Sequence, residues 1–167
     1  KGDIVTYAKG LTSGYIPMGA VAVSGRVNEV FLKTPLLHLN TYAGHPVACA
    51  AAMAALDVTE DEGLVENAAA MEGVLRDELE RMRQSVPRIT EVTAIGLLSS
   101  VISDISDQPD PDATIRKLRK EAYDAGLLVR VARDGSNMSV HFYPALVVNR
   151  RDIEDGVRAL EVALRTI

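Results

Sequence analysis

One lysine, Lys9, stands between two apolar runs and has the setting that covalent chemistry requires. Its neighbours are Ala8 and Gly10, and no acidic or basic residue lies within five positions on either side. Apolar surroundings would desolvate the side chain in part and so favour the neutral amine. A neutral amine has a free lone pair that attacks a carbonyl carbon and forms a Schiff base. Lys9 is therefore a candidate nucleophile, and the alternative is an ordinary lysine on a loop.

A second segment combines a loop with the start of an alanine-rich helix. Pro46 stands where a first helical turn would begin, a position at which its missing N–H costs no hydrogen bond. The residues that follow, from Val47 to Leu56, are mostly alanine, so the backbone of a neighbouring element can approach this helix closely. We expect His45 to cap the helix and Cys49 to be a small residue packed inside it.

The composition excludes several classes of function. The net charge of −5 and the absence of a basic run argue against nucleic acid as a partner. No stretch approaches the ~20 apolar residues of a membrane span. A single cysteine, Cys49, cannot form an intrachain disulfide and fits a reducing compartment, so we expect a cytoplasmic location. The histidines have no cysteine or carboxylate at metal-ligand spacing, so no metal site is expected.

Hydrophobic periodicity and turn residues predict a chain of mixed α/β structure. The predicted strands cover residues 3–8, 18–24, two stretches within 89–104, 127–131 and 138–143. The predicted helices cover residues 28–33, 46–58, 63–85, 111–125 and 151–165. The Asp134-Gly135 dipeptide predicts a hairpin between the last two strands, with residues 133–137 as the connection. The three later helices and the strands between them predict a compact α+β unit.

Four blocks in this sequence closely resemble the class III aminotransferases, which are pyridoxal-phosphate enzymes of fold type I. They occur in the order and roughly the spacing of that family and read DIVTYAKGLTSGYIPMGAV, TYAGHPVACAAAMAAL, DEGLVENAAAM and GLLVR followed by YPALVV. The resemblance implies that residues 1–57 are the C-terminal remnant of the large cofactor-binding domain with the interdomain helix. Residues 58–167 would be the small C-terminal α+β domain.

The resemblance also implies a role for particular residues. Lys9 would form an internal aldimine with pyridoxal 5'-phosphate and later move a proton as the free amine. Thr41 would bind the cofactor phosphate of the neighbouring subunit in a homodimer, although a threonine there could instead cap the helix. Arg130 would bind the substrate carboxylate, with Arg133 as the alternative. Asn40, just before Thr41, departs from the aromatic residue that the family often has.

The function implied is transfer of an amino group from an amine or ω-amino acid to a keto acid such as pyruvate. Aminomutases and decarboxylases of the same family use the same lysine and are alternatives, and a non-catalytic association module is another. Family members are several hundred residues long, so the sequence is interpreted as the C-terminal portion of such an enzyme. The absent part would contain most of the cofactor site, so the 167-residue chain alone is expected to be inactive.

Overall fold

The computed structural model describes residues 2–167. The chain divides into two compact units, with the boundary between Gly63 and Leu64. Helices and two antiparallel sheets alternate along the described residues, which confirms the mixed α/β class. Within residues 2–167, no helix is both long enough and apolar enough to cross a membrane.

The first unit combines a two-stranded sheet with helical segments. Its elements are β1 (Ile4–Tyr7), a 3-10 helix (Lys9–Thr12), β2 (Ala20–Val23), α1 (Gly25–Lys33) and α2 (Pro46–Asp61). The strands are antiparallel, with Ile4 opposite Val23 and Tyr7 opposite Ala20. Helix α2 packs against the 3-10 helix.

Little of the first unit is buried. Among its described residues, only Thr12, Ala48 and Ala52 are buried. The apolar side chains of the sheet remain exposed on both faces, and Ile4 and Val21 keep 61% and 63% of their accessible surface. An antiparallel sheet usually packs one of its faces on a core, whereas neither face of this sheet is covered within the described residues.

The second unit is a four-stranded antiparallel sheet with three helices on one face. Its strands follow the order β3-β4-β6-β5 across the sheet. Its elements are α3 (Leu64–Ser85), β3 (Ile89–Ile95), β4 (Leu98–Asp104), α4 (Pro111–Asp124), β5 (Arg130–Asp134), β6 (Asn137–Phe142) and α5 (Arg150–Leu164).

The hydrophobic core lies between this sheet and its helices. Alternate residues along the central strands point into it, because successive side chains of a strand face opposite sides. In β6 these are Met138, Val140 and Phe142. The inward face predicted for the last helix is confirmed, since its four apolar positions are fully buried: Ile153, Val157, Leu160 and Leu164.

The hairpin between β5 and β6 is tighter than the sequence predicts. Asp134 pairs with Asn137, so the connection consists of Gly135 and Ser136 alone. Gly135 has a positive φ of 59°, which suits glycine in a two-residue hairpin loop. The five-residue connection predicted over 133–137 is wrong, because the strand pairing continues up to the glycine and draws Arg133 into β5.

Candidate functional site

Lys9 is separated from the end of β1 by Ala8 alone and is the first residue of the 3-10 helix. Its φ is +53°, a left-handed conformation that costs a residue with a Cβ roughly 1–2 kcal/mol. Its side chain is exposed within the described residues. The sequence predicts that its apolar neighbours desolvate this side chain, and within these residues that prediction is wrong. Backbone conformations of this kind cluster at functional sites, where surrounding contacts hold them in place.

A buried hydroxyl holds the loop that follows Lys9. Thr12 retains only 2% of its accessible surface, and its Oγ1 donates to the carbonyl oxygen of Ile16 at 2.6 Å. Two further left-handed residues, Ser13 and Gly14, turn the chain between these two groups. Sequence reasoning missed Thr12, since a threonine followed by Ser13 and Gly14 signals a turn but not burial. The loop therefore has a fixed internal anchor three residues after Lys9.

Thr41 lies in the turn that precedes α2 and is exposed. The cap of α2 is His45, whose Nδ1 accepts from the Ala48 N–H at 3.4 Å, as predicted for this histidine. The alternative role of Thr41 as the helix cap is therefore wrong. Thr41 lies five residues before Pro46, the first residue of α2, and its side chain is exposed.

A cavity of about 700 Å³ adjoins this turn in the first unit. One wall is formed by residues 16–19, which end the loop after Lys9, and the other by Asn40 and residues 42–45 with Ala48. The Tyr42 and His45 rings lie on this wall with their centroids 6.1 Å apart. Neither Lys9 nor Thr41 lines this cavity, but it lies between the loop that follows Lys9 and the turn that contains Thr41.

Arg130 is the first residue of β5 in the second unit. Two neighbouring arginines fix this strand to α4: Arg119 donates to the Val131 carbonyl oxygen at 2.6 Å, and Arg133 lies 3.7 Å from Asp112. The Arg130 side chain is exposed and forms no hydrogen bond or ion pair within residues 2–167. The side chain of every other arginine in that range has a partner.

The predicted site residues are divided between the two units. Lys9 and Thr41 belong to the first, and Arg130 belongs to the second. Sequence reasoning treated His141 as a structural histidine on an apolar strand. The structure places it half-buried and directly opposite Arg130 on the neighbouring strand. The alternation of Met138, Val140 and Phe142 with polar residues is the signal that could have assigned His141 to the other face.

Known proteins share both the sequence and the fold of this chain. An omega-aminotransferase from Caulobacter vibrioides is 30% identical over 168 residues, which cover 97% of this chain and 37% of that protein. Acetylornithine aminotransferase 1 from Bordetella parapertussis is 34% identical over 158 residues, which cover 95% of this chain and 37% of that protein. The crystal structure of an amine transaminase from an uncultivated Pseudomonas species, in the PLP-bound (internal aldimine) form, is 35% identical with a TM-score of 0.85. The match covers 98% of this chain and 38% of that one.

The chain spans little more than a third of the length of the relatives that it matches. Along its own length the similarity is nearly continuous. The sequence profile of the family described as Aminotransferase class-III matches residues 1–164. The chain therefore belongs to the class-III aminotransferase family.

Proposed function

We propose that this chain is the C-terminal portion of a pyridoxal-phosphate-dependent aminotransferase. The enzyme transfers an amino group from an amine or ω-amino acid to a keto acid such as pyruvate. In this proposal residues 1–57 end the large cofactor-binding domain and its interdomain helix, and residues 58–167 form the small domain. The names of similar proteins support amino-group transfer, since they include an omega-aminotransferase and an amine transaminase.

The observation that carries the proposal is the backbone of Lys9. A left-handed lysine between an alanine and a glycine has an energetic cost, and the buried Thr12 hydroxyl keeps the following loop in one conformation. A surface lysine with no function gains nothing from such a conformation. A lysine that must present its amine at a fixed place does gain, because positioning lowers the entropy lost when it reacts.

The donor groups of the first unit fit pyridoxal phosphate. Lys9 offers an exposed primary amine for the aldehyde of the cofactor, and Thr41 offers a hydroxyl that no cap uses, beside the start of α2 for the phosphate. When bound, the cofactor acts as an electron sink that stabilises a negative charge on the substrate carbon. In the proposed homodimer, Thr41 serves the cofactor held by the neighbouring subunit.

Two side chains would then act on the substrate. Lys9 Nζ, once free, takes a proton from the substrate α-carbon, a task that suits an amine. Arg130 binds the substrate carboxylate, because a guanidinium offers two parallel N–H donors to the two carboxylate oxygens. The lack of any other partner for Arg130 among residues 2–167 supports this role over that of Arg133, which is paired with Asp112.

The chain by itself is proposed to be inactive. Lys9 and Thr41 supply an amine and a hydroxyl, and further groups are needed to bind the ring of the cofactor and cover its reacting face. The exposed apolar faces of β1 and β2 are consistent with contacts to further protein. Turnover by the isolated 167-residue chain would contradict this part of the proposal.

The test uses a full-length enzyme that contains this sequence, loaded with pyridoxal phosphate. An amine donor and pyruvate are supplied, and alanine formation is measured. We expect turnover in the parent enzyme and its loss below detection in Lys9→Ala. Lys33→Ala is the matched control, since Lys33 is an exposed lysine at the end of α1, and it should retain the parent rate. Release of carbon dioxide, or a product isomeric with the substrate, would favour the decarboxylase or aminomutase instead.

A further inference from the structure

One row of side chains crosses the face of the second unit's sheet that the helices leave open. The register places Thr93 opposite Ser100, Ser100 opposite His141, and His141 opposite Arg130. The residues beside them in the strands, such as Val131 and Val140, point into the core and are buried. Directly opposite residues of antiparallel strands have their Cβ atoms about 4.5–5.5 Å apart. His141 and Arg130 are therefore immediate neighbours on an accessible surface.

The nearest groups leave the His141 imidazole able to bind something else. Its Nε2 lies 3.4 Å from Ser139 Oγ, and its ring centroid lies 5.7 Å from that of Tyr143 at a tilt of 31°. Across the strands, Ser100 and Arg130 are its partners in the row. None of these neighbours is a carboxylate.

Carboxylates do occur on this face, but at a distance from Arg130. His141 also lines a cavity of about 400 Å³ with two carboxylate residues, Glu91 and Asp134, and Arg130 does not line this cavity. Asp134 is four residues from Arg130 along β5, or about 13 Å at the rise of a strand. Glu91 lies on β3, three strands away from Arg130 in the sheet order. The end of the row at Arg130 is thus a cationic position with no anion of its own.

We propose that His141 and Arg130 form one carboxylate-binding pair, in which an N–H group of the His141 imidazole adds to the binding of the substrate carboxylate by Arg130. The inference rests on the proposed function and adds a second binding residue to it. Arg130 supplies a permanent charge, and His141 supplies a hydrogen-bond donor for a carboxylate oxygen.

The pair predicts that His141 contributes to the choice of acceptor. A keto acid presents a carboxylate to both side chains, whereas an acceptor without a carboxylate does not. Loss of a hydrogen bond to a charged group weakens binding by about tenfold or more. The ratio of the two specificities therefore measures the contribution of His141 to carboxylate binding.

The experiment measures kcat/KM for pyruvate and for propanal, a carboxylate-free acceptor, in the full-length enzyme. The pyruvate-to-propanal ratio should fall by about tenfold or more in His141→Phe, which keeps a ring but has no N–H donor. His141→Gln keeps an N–H donor in its amide and should retain a ratio nearer to that of the parent. Thr93→Ala, at the far end of the same row, is the control and should behave as the parent.

A binding measurement distinguishes failure of this inference from failure of the proposed function. Calorimetric affinity for propionate, which has the carboxylate but cannot react, is compared in the parent and in His141→Phe. An enzyme with no transaminase turnover refutes the proposed function, whereas the propionate affinities still decide the pair. An unchanged propionate affinity, or an unchanged pyruvate-to-propanal ratio, in His141→Phe overturns the role of His141.

Discussion

Arg133 and Asp112 form an ion pair at 3.7 Å that ties β5 to the first turn of α4. Arg130 begins the same strand and has no such partner within the described residues. Two arginines three positions apart thus have different structural roles. Arg133 is paired with Asp112, and Arg130 is the arginine proposed to bind the substrate carboxylate.

Replacement of each arginine by alanine should separate these roles. Arg130→Ala is expected to raise the KM for a keto acid by about 10- to 100-fold, since a hydrogen bond to a charged group contributes roughly 1.5–3 kcal/mol. Arg133→Ala removes an exposed ion pair of about 0–1 kcal/mol and should change that KM by less than about fivefold. Steady-state kinetics with pyruvate decide the matter. A large effect of Arg133→Ala with none for Arg130→Ala would contradict the assignment.

Gly156 lies within helix α5, where alanine is normally more stable than glycine. We nevertheless expect Gly156→Ala to destabilise the protein. A Cβ at this position would meet the ring atoms Cζ and Cε2 of the buried Phe142 at 2.8 and 3.2 Å. Overpacking of this kind costs typically 1–3 kcal/mol, which outweighs the ~1 kcal/mol that alanine gains over glycine in a helix. Urea denaturation should show a net loss of stability for Gly156→Ala.

Gly73 provides the matched control in α3. A Cβ there meets nothing within 4 Å, and the position is exposed. Gly73→Ala should therefore stabilise the protein by up to about 1 kcal/mol. Equal effects of the two substitutions would show that the contact with Phe142 does not constrain the helix.

Glu161 links α3 to α5 and should make stability depend on pH. Its side chain is 14% exposed and accepts hydrogen bonds from Arg165 at 2.8 Å, Ser85 at 2.7 Å and Arg81 at 3.3 Å. The Arg165 guanidinium, with Ser85 and Arg81, lowers the pKa of the Glu161 carboxyl from its usual 4.5. A lowered pKa in the folded state means that this contribution is present above pH 4.5 and is lost as pH falls through the folded value.

Glu161→Gln should therefore destabilise the second unit by about 1–2 kcal/mol at neutral pH and by progressively less on acidification. Thermal or urea unfolding of both proteins over a pH series measures the difference. Glu154→Gln is the control, because Glu154 forms only a peripheral pair with Arg150 at 3.6 Å, and it should change little. A Glu161→Gln effect that stays constant below pH 4 would exclude the linkage.

The two units should differ in hydrogen exchange. The second unit has a continuous core that includes Leu79, Val101 and Leu160, each fully buried, whereas the first unit buries three residues in total among those described. In the isolated 167-residue chain, amides of residues 3–24 should exchange quickly, and those of β4 and β6 should be the most protected. Exchange measured by mass spectrometry tests this. Strong protection of residues 3–24 would show that the first unit is stable without further cover.

The sequence predicted those elements whose signals are local. The apolar spacing of Ile153, Val157 and Leu160 repeats with the helical period, and Pro46 marks the start of α2 within one residue. The capping role of His45 was predicted in the same way, from its position before Pro46. These are properties of a few neighbouring residues, so they need no knowledge of the tertiary structure.

The remaining features depend on groups far apart in the sequence. The pairing of His141 with Arg130 follows from strand register, and the burial of Thr12 follows from the way the loop packs. The hairpin was predicted too long because the strand pairing, rather than composition, sets where β5 ends. Lys9 was identified by its neighbours, but its left-handed backbone was not, because that conformation is imposed by the loop as a whole.

Borohydride reduction of a full-length enzyme that contains this sequence tests the central claim most directly. Borohydride converts an imine between a lysine and pyridoxal phosphate into a stable amine, which peptide mapping by mass spectrometry locates. The account predicts a phosphopyridoxyl group on the peptide that contains Lys9, and its absence in Lys9→Ala. An adduct on another lysine, or no adduct in a protein that retains transaminase activity, would contradict the assignment of Lys9.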